Sequence, residues 1–430
     1  MTLDEHMEKR IRKKRFLRII PFIFVLYIIT FLDRVNISYA ALTMTKDLHF
    51  TAAIFGLGAG IFFIGYFVLE IPVTVWIQKW SARKWVARIM IGWGIVSVLT
   101  AFTNTDNQFY ALRLALGLGE AGFFPGIILY ISHWFTGREK AVAYSMFMAA
   151  VPISQIIGAP LSTHILSVDW LDMQGWRWLF ILEGIPSIIL GLFAFWYLTD
   201  RPSQAKWLLP DEKKWFASKM ASETKVKEAK FGFSWKSAIK ERDVILLVLI
   251  YFFWITGFYG LGFFLPTIIN GLGNQSVTSV GYLVAIPYVA AFFGLMLVGR
   301  SSDKRNERKW HAFFSLVVGA IGLGLSIMVY PNLLFSMIMF TIATVGIYSA
   351  FGPFWSLPTI FLTETSAAVS IGLINSIGNL GGFIGPSIVG YLKTDTGSYN
   401  SGSVFMVASL LIAAFLILAL KKTKEPEVKV

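Results

Sequence analysis

Long apolar runs, each closed by charged or turn-forming residues, follow one another from Phe16 to Leu420. They fall at 16–42, 53–77, 86–103, 108–132, 139–166, 177–199, 243–270, 277–299, 310–329, 332–360, 366–392 and 402–420. A helix needs about 20 apolar residues to cross a bilayer, so the pattern predicts an all-α polytopic membrane protein with twelve transmembrane helices. Most connections are short. The exception, Asp200 to Arg242, is rich in Lys and Glu and divides the spans six and six. The expected organisation is an N-terminal six-helix bundle (1–199), a cytoplasmic linker (200–242) and a C-terminal six-helix bundle (243–430). Trp207, Trp215 and Trp235, set among lysines, predict short amphipathic helices on the membrane surface.

Composition fits a membrane protein. Of 430 residues, 56% are hydrophobic and only 15% charged, against roughly 25% charged in a soluble domain. The chain has no cysteine, which excludes disulfides, thiolate metal sites and cysteine nucleophiles. No pair of its five histidines has metal-ligand spacing. No glycine loop ending in Lys-Ser or Lys-Thr is present to hold ATP phosphates. No nucleophile–base set points to an enzyme.

The net charge of +13 raises a nucleic-acid reading that position removes. With the N-terminus cytoplasmic, all Lys and Arg except Arg34, Lys46, Arg113, Arg177 and Lys393 fall on one side of the membrane. That is the positive-inside bias, and it places both termini in the cytoplasm. No nucleic-acid partner is expected. The first apolar run is also too long for a cleavable signal peptide and lacks a small-residue cleavage site.

Four charges break the pattern from within. Asp33 and Arg34 sit side by side in the first span; Arg113 and Glu120 are seven residues apart in the fourth, on one helix face. An ionisable group at the bilayer centre costs about 3 kcal/mol on insertion scales, so such groups face a bundle interior or a wet cavity. Arg34 offers a permanent cation and a planar fork for a carboxylate. Asp33 and Glu120 are candidate proton carriers, with Arg113 placed to pair with ionised Glu120. Tyr66 and Gln155 add mid-span polar groups for a substrate oxygen. Of the other acids, Glu70 and Glu183 read as packing or gate-forming groups, with proton sites the alternative, and Glu364 as a cytoplasmic gate or cap.

The two halves repeat. Gln78-Lys-Trp-Ser-Ala-Arg83-Lys-Trp85 aligns with Asp303-Lys304-Arg-Asn-Glu-Arg308-Lys-Trp310, and Pro160 with Pro386. Such repeats mark two-bundle transporters with the site at the midplane between them. Glycines line spans four and eleven and permit close helix approach. Pro125, Pro160, Pro266 and Pro386 predict kinks.

At these residues the chain resembles the major facilitator superfamily, whose cytoplasmic signature is matched by Gly299-Arg-Ser-Ser-Asp303-Lys304 with Arg308-Lys309. The first-half copy has Gln78 where the signature has an acid. Within the superfamily the chain is similar to the anion:cation symporter family, closest to its tartrate and hydroxyphenylacetate permease type. The matching pieces are Leu32-Asp33-Arg34-Val35-Asn36-Ile37, Gly60 to Tyr66, Arg113 to Gly126, and Gly175-Trp-Arg-Trp-Leu-Phe180 with Leu182-Glu183-Gly184. The resemblance implies that Arg34, Tyr66, Gln155, Ser356 and Asn379 bind substrate, with Asn375 a rival to Asn379. It also implies that Asp33, Glu120 and Arg113 couple protons, and that Gly299, Asp303, Lys304, Arg308 and Arg83 serve a cytoplasmic gate.

The expected function is import of an organic anion by proton symport with alternating access, in a multi-pass protein of the cell membrane. The anion is a sugar acid, hydroxydicarboxylate or aromatic carboxylate. The expected partners are that anion, protons and the lipid bilayer, with a functional monomer, no metal and no cofactor beyond the proton gradient. An organic-anion exchanger or proton-coupled exporter is the alternative; a transporter-like receptor is a remote one, since both tails are short.

Overall fold

The computed structural model describes residues 3–79, 81–135, 137–228, 241–273, 275–361 and 364–421. The described residues form helices and no named strand. In the first half these are α1 (Leu3–Asp47), α2 (Ala52–Lys79), α3 (Ala82–Thr100), α4 (Asp106–Glu120), α5 (Phe123–Trp134), α6 (Gly137–Met148), α7 (Ala150–Leu166) and α8 (Gly175–Tyr197). A linker helix α9 (Pro210–Glu228) follows. The second half contains α10 (Arg242–Asn270), α11 (Val277–Arg305), α12 (Lys309–Val329), α13 (Leu333–Ser349), α14 (Phe351–Phe361), α15 (Glu364–Gly378), α16 (Gly381–Thr396) and α17 (Asn400–Leu418). Trp235 and the side chain of Glu364 lie outside the described residues.

Ten helical segments among the described residues are long and apolar enough to cross a membrane. Each overlaps an expected span. The expected spans 86–103 and 366–392 lie on α3, whose start carries Arg83, Lys84 and Arg88, and on the broken pair α15–α16.

Helix pairing repeats along the chain. In the first half α3 packs on α8, α2 on α4, and α1 on both α7 and α8. In the second, α12 packs on α17, α11 on α13, and α10 on both α16 and α17. Two seams join the halves, α2 against α16 and α7 against α11, with α1 meeting α10 between them. Both seams need glycine. A Cβ on Gly390 would stand 2.2 Å from the carbonyl oxygen of Ala52, and one on Gly281 would stand 2.6 Å from that of Ala159.

Proline breaks some spans and not others. Its ring clashes with the carbonyl four residues back, and three breaks fall at that offset. Pro125 opens the helix at Ala121, Pro152 at Met148, and Pro353 at Ser349. Gly122 completes the first break at φ 88°, a left-handed conformation that favours glycine. Pro160, Pro266 and Pro386 sit inside continuous helices, and no helix ends at them.

The linker docks on the first half. Glu212 of α9 has no exposed surface and accepts from Lys14 Nζ at 2.9 Å and pairs with Arg10 Nε at 2.7 Å. Burial pushes its carboxyl up, but the Lys14 hydrogen bond and the Leu209 backbone N–H outweigh that and hold it below the usual carboxylate range. Trp207 stacks on Trp134 with ring centroids 5.1 Å apart.

Candidate functional site

The break after α4 sets the site. It leaves Glu120 as the last residue of that helix, buried, with its carboxylate turned toward α1. There it accepts a hydrogen bond from Arg34 Nη2 and forms an ion pair with it. Arg34 Nη1 reaches across to the second half, 3.4 Å from the Tyr259 hydroxyl of α10. The guanidinium also lies 5.4 Å from the Tyr66 ring centroid and 5.5 Å from that of Phe62. A cation over aromatic faces keeps favourable electrostatics in a site with little water.

Arg113 does not take the partner expected of it. It is buried, its Nε donates to the Gly58 carbonyl at 3.3 Å, and its guanidinium lies 5.1 Å from the Phe62 ring. Seven residues of helix separate it from Glu120 by about 10 Å along the axis. Arg34 comes from another helix at the level of Glu120 and wins the contact. Asp33 points elsewhere, into the first half, where it accepts from Ser97 Oγ of α3 and from Asn36 Nδ2 at 3.1 Å. Arg113 lies within Coulombic reach of both acids.

Beside Arg34 a small cavity separates the halves. Phe31, Val35 and Gln155 wall one side; Tyr259, Tyr288 and Tyr348 are among those walling the other. The room it leaves for a water-sized sphere is about 20 Å³, little above the 10–15 Å³ that one water requires. As it stands this cavity has no room for an organic acid, so one that enters it must part the helices. Gln155 accepts from the Tyr39 hydroxyl at 3.5 Å.

The second-half candidates stand apart from this cluster. Ser356 donates to the Gly352 carbonyl of its own helix at 3.0 Å. Asn379 is buried at the break between α15 and α16, and its backbone N–H bonds Asn375. It is the side chain of its rival, Asn375, that faces the first half, donating to Glu70 Oε1 of α2 at 2.7 Å. Neither Ser356 nor Asn379 lines the cavity.

The two copies of the signature loop reach one end by different means. In the second half Arg308 pairs with Asp303 at 2.5 Å and donates to Ser302 Oγ at 3.0 Å. Lys304 is exposed, and the Cα of Gly299 lies 3.7 Å from where a Cβ on Gly352 of α14 would stand. In the first half, where Gln78 replaces the acid, Asp200 from the far end of α8 takes over. It accepts from Ser81 Oγ at 2.5 Å and the Arg83 backbone N–H at 2.9 Å, and stands 3.7 Å from Arg83 Nε.

Tyr259 and Ser97 were not singled out in the sequence. Tyr259 lies in Gly257-Phe-Tyr-Gly260, where flanking glycines mark close packing, and Ser97 is a lone hydroxyl in an apolar span. Only their partners, far away in the chain, reveal them.

Residues 23–386 match the profile of the Major Facilitator Superfamily. The chain is 44% identical to a putative tartrate transporter of Agrobacterium vitis, over 98% of this chain and 97% of that one. It is 35% identical to a quinolone resistance transporter of Acinetobacter baumannii, over 98% of each. Its backbone is similar to the inward-facing, unoccupied crystal structure of a bacterial homologue of the human lysosomal transporter Spinster. The TM-score is 0.77 at 19% identity, covering 95% of this chain and 97% of that one, which bears on fold alone. With these findings beside a closed, charge-bearing site between two sets of apolar helices, the chain belongs to the major facilitator superfamily and is a multi-pass membrane transporter, not an enzyme.

Proposed function

We propose that this protein imports an organic anion of the hydroxydicarboxylate class together with protons, by alternating access between two six-helix bundles (1–199 and 243–430). In this reading α3 and the α15–α16 pair supply the remaining two of twelve spans, and both termini are cytoplasmic. The protein acts in the cell membrane as a monomer, driven by the proton gradient.

The observation that carries the reading is the Arg34–Glu120 pair. Arg34 is the cation best placed for a substrate carboxylate, and Glu120 already occupies it. A substrate that takes Arg34 displaces Glu120 and would leave a buried carboxylate without its partner. Breaking a buried pair from one side costs about 3–5 kcal/mol. Protonating Glu120 removes that penalty. Anion and proton therefore bind together, which is symport. Asp33, held by hydroxyl and amide donors and by no guanidinium contact among the described residues, is the second proton carrier. Tyr66, Tyr259 and Gln155 bound the space the anion occupies, while Ser356 and Asn379 meet it only after the helices rearrange. Arg83 with Asp200, and Arg308 with Asp303, brace the cytoplasmic loops near Gly299 and Lys304 during that motion.

The similarity to a named tartrate transporter supports the substrate class. The similarity to a quinolone resistance transporter favours a second reading, proton-coupled export. Proteoliposomes with an internal pH dye separate them. Adding tartrate, sugar acids or aromatic acids outside should acidify the interior, and Arg34→Ala should abolish the signal. Acidification of the interior as a substrate loaded inside leaves, with protons supplied outside, would favour the exporter.

A further inference from the structure

Two buried acids of the spans, Glu70 and Glu183, are left over, and Glu183 lies beside Asp33. Glu183 of α8 is 6% exposed, and Ser162 Oγ of α7 donates to its Oε1 at 2.9 Å. The Asn36 amide, which donates to Asp33, also reaches Glu183. Two carboxyls, Asp33 and Glu183, thus flank one amide. Glu183 Oε2 is buried and has no hydrogen-bond partner, and no cation forms an ion pair with Glu183 among the described residues.

Charge count sharpens this. The cluster holds two guanidinia, Arg34 and Arg113, against three carboxyls, Asp33, Glu120 and Glu183. Arg34 contacts Glu120, and Arg113 acts on Asp33 and Glu120. From α1 the titratable groups facing Glu183 are Asp33 and Tyr39. α3 presents Ser97 and α7 presents Ser162, both neutral. A buried carboxylate with no cation and an empty-handed oxygen is expensive to ionise; it neutralises by taking a proton.

Position along the fold adds a direction. Asp47, at the end of α1, bonds the Trp176 indole at 2.9 Å, which ties the start of α8 to the end of α1. Counting from that end at 1.5 Å per residue, Glu183 lies about 12 Å deep and Asp33 about 21 Å. Glu183 stands between the bundle end and Asp33.

We propose that Glu183 is a proton-binding site of the transport cycle, holding a proton in the closed state and exchanging it with Asp33 beside Asn36. In the exchange the proton leaves Glu183 Oε2 and bonds an Asp33 oxygen, carried by intervening waters once the helices part. Glu183 becomes the carboxylate and Asp33 the neutral acid, with no change in total charge. This rests on the symport reading above, and it adds a third carboxyl to that reading's two.

The test uses Glu183→Gln, which keeps the shape of the protonated acid, in the full chain in proteoliposomes. Two readouts are taken. Infrared spectroscopy of the wild type at neutral pH should show a protonated carboxyl band that Glu183→Gln removes. Each coupled proton multiplies accumulation about tenfold under a one-unit pH gradient, so Glu183→Gln should lower gradient-driven tartrate accumulation about tenfold while leaving counterflow at equal pH unchanged. Loss of the band with wild-type accumulation would overturn the proposal, because the proton would be fixed and structural. An unchanged band would overturn it as well. Wild-type liposomes without substrate-driven acidification would defeat the import reading, and the band alone would then decide whether Glu183 holds a proton.

Discussion

The two halves of the protein share a pairing scheme but divide the chemistry unequally. Among the described residues the buried or half-buried charges Asp33, Arg34, Glu70, Arg113, Glu120 and Glu183 all come from the first half. The second half meets them with rings and amides: Tyr259 against Arg34, Asn375 against Glu70, and Tyr288 and Tyr348 across the cavity. The repeat thus conserves helix packing and not side-chain role. One half stores charge that must be neutralised before it can move; the other supplies surfaces that slide without breaking an ion pair. A transporter built this way couples protons through one bundle and shapes its substrate space with the other.

If that division is right, the largest effects lie in the first half. Arg34→Ala should abolish both uptake and exchange, because it removes the carboxylate contact and leaves Glu120 buried alone; any exchange above background would break the assignment. Glu120→Gln should retain exchange but lose gradient-driven accumulation, measured with labelled substrate with and without a pH gradient. Gly281→Val should come next. Its side chain has no room against Ala159 and Thr163 at the α7–α11 seam, so transport should fall severalfold while cysteine cross-linking across that seam is lost.

Second-half changes should be milder. Tyr259→Phe removes one hydrogen bond across helices, a contact worth about 0.6 kcal/mol in membrane proteins. The substrate concentration for half-maximal uptake should rise less than about threefold, with the maximal rate kept. An effect as large as that of Arg34→Ala would erase the contrast between the halves. The smallest effect concerns the linker. Glu212 is held below the usual carboxylate range, so its tie to Lys14 and Arg10 is present at neutral pH, and is lost as pH falls through that lowered value. Protease cleavage at α9 should be resisted at neutral pH and should appear on strong acidification; in Glu212→Gln it should appear at neutral pH.

Much of this was legible along the chain. Charges in apolar runs stand out because the bilayer penalises them, so Asp33, Arg34, Arg113 and Glu120 were found without a structure. Their pairing was not. Helical period places Arg113 and Glu120 on one face, yet contact depends on depth, and Arg34 arrives from α1 at the right level. Ser97 and Tyr259 were hidden for a related reason: a hydroxyl in an apolar helix is ordinary until a distant residue gives it a partner. The acid standing in at Gln78 was equally out of local reach, since Asp200 follows the last helix of that bundle. Which prolines end a helix was not legible, because an end requires the carbonyl four residues back to find another place, which the surroundings allow at Ala121, Met148 and Ser349 and not behind Pro160.

The central claim is that substrate and Glu120 compete for Arg34, so that an anion binds only with a proton. Tartrate affinity of the purified protein, measured by calorimetry across neutral to mildly alkaline pH, tests it most directly. Binding should weaken by about tenfold per pH unit in the wild type, and Glu120→Gln should bind more tightly at alkaline pH with that slope reduced by about one proton. A wild-type affinity independent of pH, or the same slope in Glu120→Gln, would contradict it.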